Sequence, residues 1–246
     1  MSFTKIFYSL LFFLSFSVNA KVMTACIDHY PPLQVIEKNI YGESISALNA
    51  LANLINYEIK FVIGPNFARC LRLLALGEVD VLAGLIDSPE RRDIAQLISY
   101  KKDTQYIFIT RINSDDIKSY LDLQNKLIGI TKNTLYFEQF DNDLNLKKVP
   151  VKDIKVALRM LVKERIDIVI TAKVILHSLM GELNIKQQIK INPFTFGLNR
   201  NLYFGISKLS PMRLNKTEIK KIELAVQQGL FVKEIDKFIA EHPELY

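Results

Sequence analysis

Residues 71–82 read Leu-Arg-Leu-Leu-Ala-Leu-Gly-Glu-Val-Asp-Val-Leu, and residues 158–169 read Leu-Arg-Met-Leu-Val-Lys-Glu-Arg-Ile-Asp-Ile-Val. Laid over each other without a gap, they match at Leu71/Leu158, Arg72/Arg159, Leu74/Leu161 and Asp80/Asp167, and their other apolar positions keep the same period. In each, apolar residues at helical spacing are followed within a few positions by a short apolar run that fits a buried strand. One chain carrying this helix-to-strand unit twice points to two similar α/β lobes, each near a hundred residues, a normal domain size.

The flanks extend the pattern. Residues 21–28 are apolar enough for a buried strand that stops at Tyr30-Pro31-Pro32. Residues 44–56 place Ile45, Leu48, Leu51, Ala52 and Ile55 on one helical face. Residues 57–63 read as a strand ended by Gly64-Pro65, residues 67–76 as a helix ended by Gly77, and residues 79–84 as a short strand. In the second half, residues 127–131 and 166–171 read as strands, and Ile154, Ala157, Leu158 and Leu161 share a helical face. Strands alternating with helices predict mostly parallel sheets covered on both faces. The extended runs 105–111 and 201–208 are candidate connections between lobes. Lobe one is expected over 21–110 and 204–246, lobe two over 111–203, with the helical tail from Asn215 packing back on lobe one. Such a pair leaves a cleft at the carboxyl ends of its strands, where open sheets bind ligands.

The first twenty residues stand apart. Lys5 precedes an uncharged stretch from Ile6 to Val18, and Ser17-Val18-Asn19-Ala20 supplies a small-residue cleavage site before Lys21. This is the pattern of an export signal and sets the expected location as the periplasm. Met23-Thr24-Ala25-Cys26 loosely resembles a lipidation site, but Lys21 separates it from the apolar core. Hydrophobic residues make up 49% and charged residues 24%, which excludes a disordered chain. The net charge is +6, spread over lysines interleaved with acids, and no nucleic-acid motif is present, so nucleic acid is not an expected partner. Cys26 and Cys70 are the two cysteines. In an oxidising compartment they form either a disulfide or two buried thiols.

Several motifs follow one another in order. They are Asp28-His29-Tyr30-Pro31-Pro32-Leu33, Phe67-Ala68-Arg69-Cys70-Leu71, Gly77-Glu78-Val79-Asp80, Ser88-Pro89-Glu90-Arg91-Arg92, Ser99-Tyr100, Ile128-Gly129-Ile130 and Ile206-Ser207-Lys208. With the leader, this series resembles the bacterial extracellular solute-binding proteins of family 3, the group that holds the polar amino-acid receptors of ABC importers. The resemblance implies a two-lobed α/β fold of the type II periplasmic-binding-protein kind, with central mixed, mostly parallel sheets flanked by helices. It implies a monomeric receptor that closes on a small polar, anionic or amino-acid-like solute and is read by an inner-membrane permease or a membrane sensor, without a cofactor or metal. Tyr30 then takes the place of the ligand-stacking aromatic and Phe67 that of a cleft aromatic. Arg91 takes the place of the carboxylate-gripping arginine, and Thr134 that of the threonine after the first strand of lobe two.

Two departures accompany the resemblance. Ala83-Gly84-Leu85 stands where family receptors carry a serine or threonine, leaving Gly84 as a candidate contact. Thr171-Ala172 stands where they carry the aspartate that holds a ligand ammonium.

The residue chemistry agrees with an anion site. Arginine's planar fork gives two parallel charge-assisted hydrogen bonds to a carboxylate. Arg91 is the first candidate, with Arg92 as its neighbour and Arg69 expected to face the cleft from a helix start. Asp28, at the end of strand one, is either a site residue or a turn residue. Thr134 is either a ligand contact or the cap of the following helix, whose N–H groups would welcome an anion. His29, His177 and His242 lie far apart and without metal-ligand spacing. Asp28-His29 beside Arg91 leaves a small-acid lyase as the enzyme alternative.

Overall fold

The computed structural model describes residues 21–103, 105–197 and 200–246. The expected export signal at residues 1–20 lies outside the described residues. In chain order the elements are β1 Lys21–Ile27, β2 Val35–Ile36, β3 Ile40–Tyr41, α1 Glu43–Leu54, β4 Tyr57–Ile63, α2 Phe67–Leu76, β5 Val81–Leu85, α3 Pro89–Ile94, β6 Ala95–Lys102 and β7 Tyr106–Arg111. They continue with β8 Leu127–Thr131, α4 Glu138–Asn142, β9 Lys147–Val151, α5 Ile154–Val162, β10 Ile168–Ala172, α6 Lys173–Leu183, β11 Ile189–Phe196, β12 Asn201–Ser207, α7 Lys216–Gln227 and α8 Leu230–Glu241.

Two five-stranded sheets organise the molecule. The first has the order β4-β1-β5-β12-β6 and the second β11-β7-β10-β8-β9. Each is parallel at one end, where βαβ units return the chain, and antiparallel at the other. The two repeats occupy equivalent places. In the first, α2 feeds β5; in the second, α5 feeds β10. The matched aspartates do the same work in both: Asp80 N–H donates to Thr24 O and its carboxylate accepts from Thr24 N, while Asp167 N–H donates to Leu127 O and its carboxylate accepts from Leu127 N. Each thereby ties the new strand to the first parallel strand of its lobe. Gly77 turns the chain after α2 with φ 72°, a left-handed conformation that glycine adopts without steric cost.

The sheet membership moves the expected boundaries. Residues 106–111, placed at the end of lobe one and among the connections, form the strand between β11 and β10 in the second sheet. Residues 201–207 lie between β5 and β6 in the first sheet rather than linking the lobes. Both runs are almost wholly buried and antiparallel to their neighbours. The chain therefore passes from the first sheet to the second between β6 and β7 and returns between β11 and β12. The helical tail packs where expected: Ile222, Ala225, Phe231 and Ile235 join Ile45, Leu48 and Leu51 of α1 in the first lobe's core.

Cys26, the penultimate residue of β1, and Cys70, one turn into α2, are joined in a disulfide, and both are fully buried. No helix of the described residues is long and apolar enough to cross a membrane.

Candidate functional site

A cleft of about 380 Å³ opens between the lobes, within the size range of small-molecule sites. The first lobe contributes the ends of its strands. Asp28 follows β1, its N–H held by the Gln34 side chain at 2.9 Å. Tyr30 follows on the same turn, and Gly84 comes from β5. Ser88 caps α3 by accepting the Arg91 N–H, which aims the arginine inward. The second lobe contributes Thr131 and Thr134 after β8, Asp153 at the cap of α5, and Thr171 at the end of β10.

Arg91 is buried, only 7% exposed. Its Nη2 donates to the backbone carbonyl of Asn133 across the gap at 2.7 Å. Its guanidinium lies 5.7 Å from the centre of the Phe67 ring, inside cation–π range. Burial lowers its pKa, yet no carboxylate pairs with it among the described residues. Arg92 behaves differently: it is exposed and closes a fork on Asp87, with bonds of 2.6 and 2.7 Å.

Asp28 has no cationic partner among the described residues. Burial, reinforced by the facing Asp153, pushes its carboxyl up to about 6, while the Phe67 backbone N–H works in the opposite direction. Burial likewise pushes the Tyr30 hydroxyl up to about 12. Tyr30 and Leu33 pack against the core of the opposite lobe. Thr171 is 3% exposed, and its hydroxyl has no hydrogen-bond partner among the described residues. It faces the Tyr30 hydroxyl closely enough to lower that group's pKa, but short of hydrogen-bond geometry.

The other charges lining the cleft have partners. Asp103 pairs with Arg200 at 2.8 Å, Lys155 pairs with Glu182 at 2.5 Å, and Lys152 lies 3.8 Å from Asp153 on the exposed side. His29 uses Nδ1 to accept the Ile36 N–H, and its Nε2 lies 3.7 Å from Glu182 of α6. It lines both the cleft and a second groove beyond it, and among the described residues it makes no hydrogen bond or ion pair with Asp28 or Arg91 that an acid/base pair would need.

Of the residues expected at the site, Asp28, Tyr30, Phe67, Gly84, Arg91 and Thr134 line the cleft. Arg69 does not: the turn of α2 that lets Cys70 reach Cys26 leaves its neighbour exposed to solvent. Thr134 is not a helix cap, because α4 begins only at Glu138 with Phe137 as its cap residue. Its N–H closes a turn onto Thr131 O. Asp103 and Asp153 were not anticipated. Asp153 heads a helix, and a capping role is ordinarily a full explanation for such a residue.

The fold has many solved counterparts. An ancestral arginine-binding protein bound to arginine superposes with a TM-score of 0.73 at 19% identity, covering 89% of this chain and 97% of that one. An amino acid ABC transporter substrate-binding protein, AbpA from Streptococcus pneumoniae bound to L-arginine, gives 0.73 at 18% identity, covering 92% and 97%. A histidine kinase sensor domain with similarity to periplasmic binding proteins gives 0.71 at 16% identity, covering 90% and 96%. At these identities the likeness is one of fold. No match is found among curated proteins. The family model for bacterial extracellular solute-binding proteins, family 3, matches residues 22–242, and the chain belongs to that family.

Proposed function

We propose that this protein captures a small polar, carboxylate-bearing, amino-acid-like solute between its lobes in the periplasm and presents it to an inner-membrane ABC permease. The observation that carries this reading is Arg91. A guanidinium taken out of water is costly unless it is paired or fully hydrogen-bonded. Here it projects into a cleft with a single carbonyl partner, its fork otherwise available to an acid group. A ligand carboxylate completes that fork, and the closed state gains stability by the ligand's differential affinity for it.

The test is a thermal-shift screen of the purified mature chain against the standard amino acids and short diacids, repeated with Arg91→Ala. A hit that the variant loses supports capture. Turnover of a compound, or no hit at all, overturns it. The likeness to a histidine kinase sensor domain supports a second reading, in which a membrane sensor rather than a permease reads the closed form. Neighbouring genes for a permease and ATPase favour import, and a neighbouring histidine kinase favours sensing.

A further inference from the structure

Residues 242–246 leave α8 of the first lobe and enter the second groove, a space of about 550 Å³ bounded by Pro31, Val35 and Tyr41 on one side and by His177 and Met180 of α6 on the other. Two anchors hold this segment to the first lobe. The His242 ring stacks on Phe238 and Tyr41, with ring centres 4.3 and 5.6 Å away. The Tyr246 hydroxyl donates to Glu43 Oε1 at 2.8 Å. Glu43 is buried at the head of α1, and its other oxygen takes the Lys101 ammonium from β6. Burial, with the Glu43 carboxylate alongside, raises the Tyr246 pKa, so the phenol stays a donor. Between the anchors the chain makes one short helical turn, Pro243–Leu245, and there it meets the other lobe. Ser178 Oγ, on α6, donates to Leu245 O at 2.7 Å. A serine inside a helix commonly donates to the carbonyl one turn back; this one reaches a carbonyl 67 residues along the chain.

We propose that residues 242–246 are a strap that joins the lobes from outside the cleft and sets how often the empty protein is closed. Its hook, Leu245 O, lies between the anchors at His242 and Tyr246, so the strap has little slack with which to follow α6 when the lobes rotate. Hydrogen bonds weaken beyond about 3.2 Å, so a shift of about half an ångström breaks this one. The bond therefore belongs to the arrangement in which Arg91 also reaches Asn133, and it favours that arrangement over any rotated one. The other polar contact along the groove, His29 Nε2 at 3.7 Å from Glu182, is long and partly exposed, which leaves Ser178 as the defined link. A protein already partly closed when empty loses less affinity to the conformational step of capture. The strap goes beyond the solute-binding reading and is independent of the solute's chemistry.

The experiment measures the distance between nitroxide labels on Leu144→Cys in the second lobe and Leu209→Cys in the first, both exposed positions, by pulsed electron spin resonance on the ligand-free, disulfide-bonded protein. Ser178→Ala, Tyr246→Phe and the double variant are compared with the labelled parent. Alanine is a better helix former than serine, so Ser178→Ala keeps α6 intact, and a melting curve checks each fold. The parent is expected to hold a short-distance population. Each single variant is expected to lower its ratio to the long-distance population about two- to tenfold, as the loss of one net hydrogen bond implies. The double variant should be no more open than the more open single one, because anchor and hook act in series. Distributions that superpose on the parent's, a parent with only the long distance, or fully additive effects of the two substitutions overturn the strap. No ligand enters the measurement, so its failure leaves solute capture standing.

Discussion

Arg91 and Asn133 are joined across the gap between the lobes, Nη2 to carbonyl oxygen, at 2.7 Å. The donor stands on α3 of the first lobe and the acceptor in the turn after β8 of the second. One arm of the fork thus reports the closeness of the lobes, while the rest faces the cleft. This division of labour makes lysine a poor substitute, because an ammonium offers a point charge without the planar fork. For whichever screened compound binds best, Arg91→Lys is expected to weaken affinity about tenfold to a hundredfold, matching the ~1.5–3 kcal/mol of a charge-assisted hydrogen bond. Arg91→Ala is expected to lose more. Calorimetry showing Arg91→Lys equal to wild type would place the ligand's acid group elsewhere.

Asp28 gives the apo protein a pH signature. Its folded pKa, about 6, lies above the ordinary value of 3.8. The folded state therefore holds more protons than the unfolded state between roughly pH 4 and 6, and stability falls as pH rises through that window. The contribution is fully present below about pH 4 and gone above about pH 6. A two-unit shift corresponds to about 3 kcal/mol, and partial exposure reduces this to about 1–2 kcal/mol. Asp28→Asn, neutral throughout, should be more stable than wild type at pH 7 by that amount and should show a flatter profile from pH 4 to 6. Urea midpoints that run parallel for the two proteins across this range would refute the burial account.

The repeat makes a prediction about unequal costs. Asp80 and Asp167 hold the same place in the two lobes, but their surroundings differ. Asp80 is 6% exposed and accepts from Thr24 N at 2.6 Å, Thr24 Oγ1 at 2.7 Å and the Ser210 hydroxyl. Asp167 accepts from Leu127 N at 2.8 Å, with Arg111 at 3.7 Å, and its side chain is 38% exposed. Removing Asp80 strands several buried donors, each costing about 1–3 kcal/mol, whereas water can replace the partner at Asp167. Asp80→Ala should therefore cost about 2–4 kcal/mol and Asp167→Ala about 1 kcal/mol, measured by urea unfolding. Equal costs would show that the two aspartates are not held as differently as their burial implies.

The same comparison shows what the sequence carries. The helix-to-strand unit is local, its periods lie within a dozen residues, and in the first copy Gly77 also marks the stop, so α2, α5, β5 and β10 could be read directly. Membership of a sheet is not local. Tyr106–Arg111 and Asn201–Ser207 are apolar runs that fit a linking strand or a central one equally well, and only their pairing partners, far away in sequence, decide. The site divides in the same way. Arg91 and Asp28 follow strand ends, where clefts form. Arg69 fails because one helical turn separates a buried neighbour from an exposed face. Asp153 is invisible in sequence because a capping aspartate that lines a cleft and one that does not look alike until the opposite lobe is placed.

The Cys26–Cys70 disulfide ties stability to the site. It joins the residue two before Asp28 to the helix that begins with Phe67, so it fixes the strand end and the aromatic that share the Asp28 carboxyl. The residues are separated by 44 positions, and in the chain-entropy picture a loop of that length contributes about 4 kcal/mol. Reduction of the unaltered protein is expected to lower its melting temperature by roughly 10 °C, at 2–4 °C per kcal/mol for a chain of this size. Because Phe67 and Asp28 are then less firmly held, ligand affinity should fall as well, though by less than tenfold. Cys26→Ala/Cys70→Ala adds a packing loss, since both sulfurs are buried, and should melt no higher than the reduced protein. A reduced protein that melts within 2 °C of the oxidised one would show that β1 and α2 are held by their packing against Leu73, Leu74 and Val79 alone, with the covalent link adding nothing to the folded state's advantage.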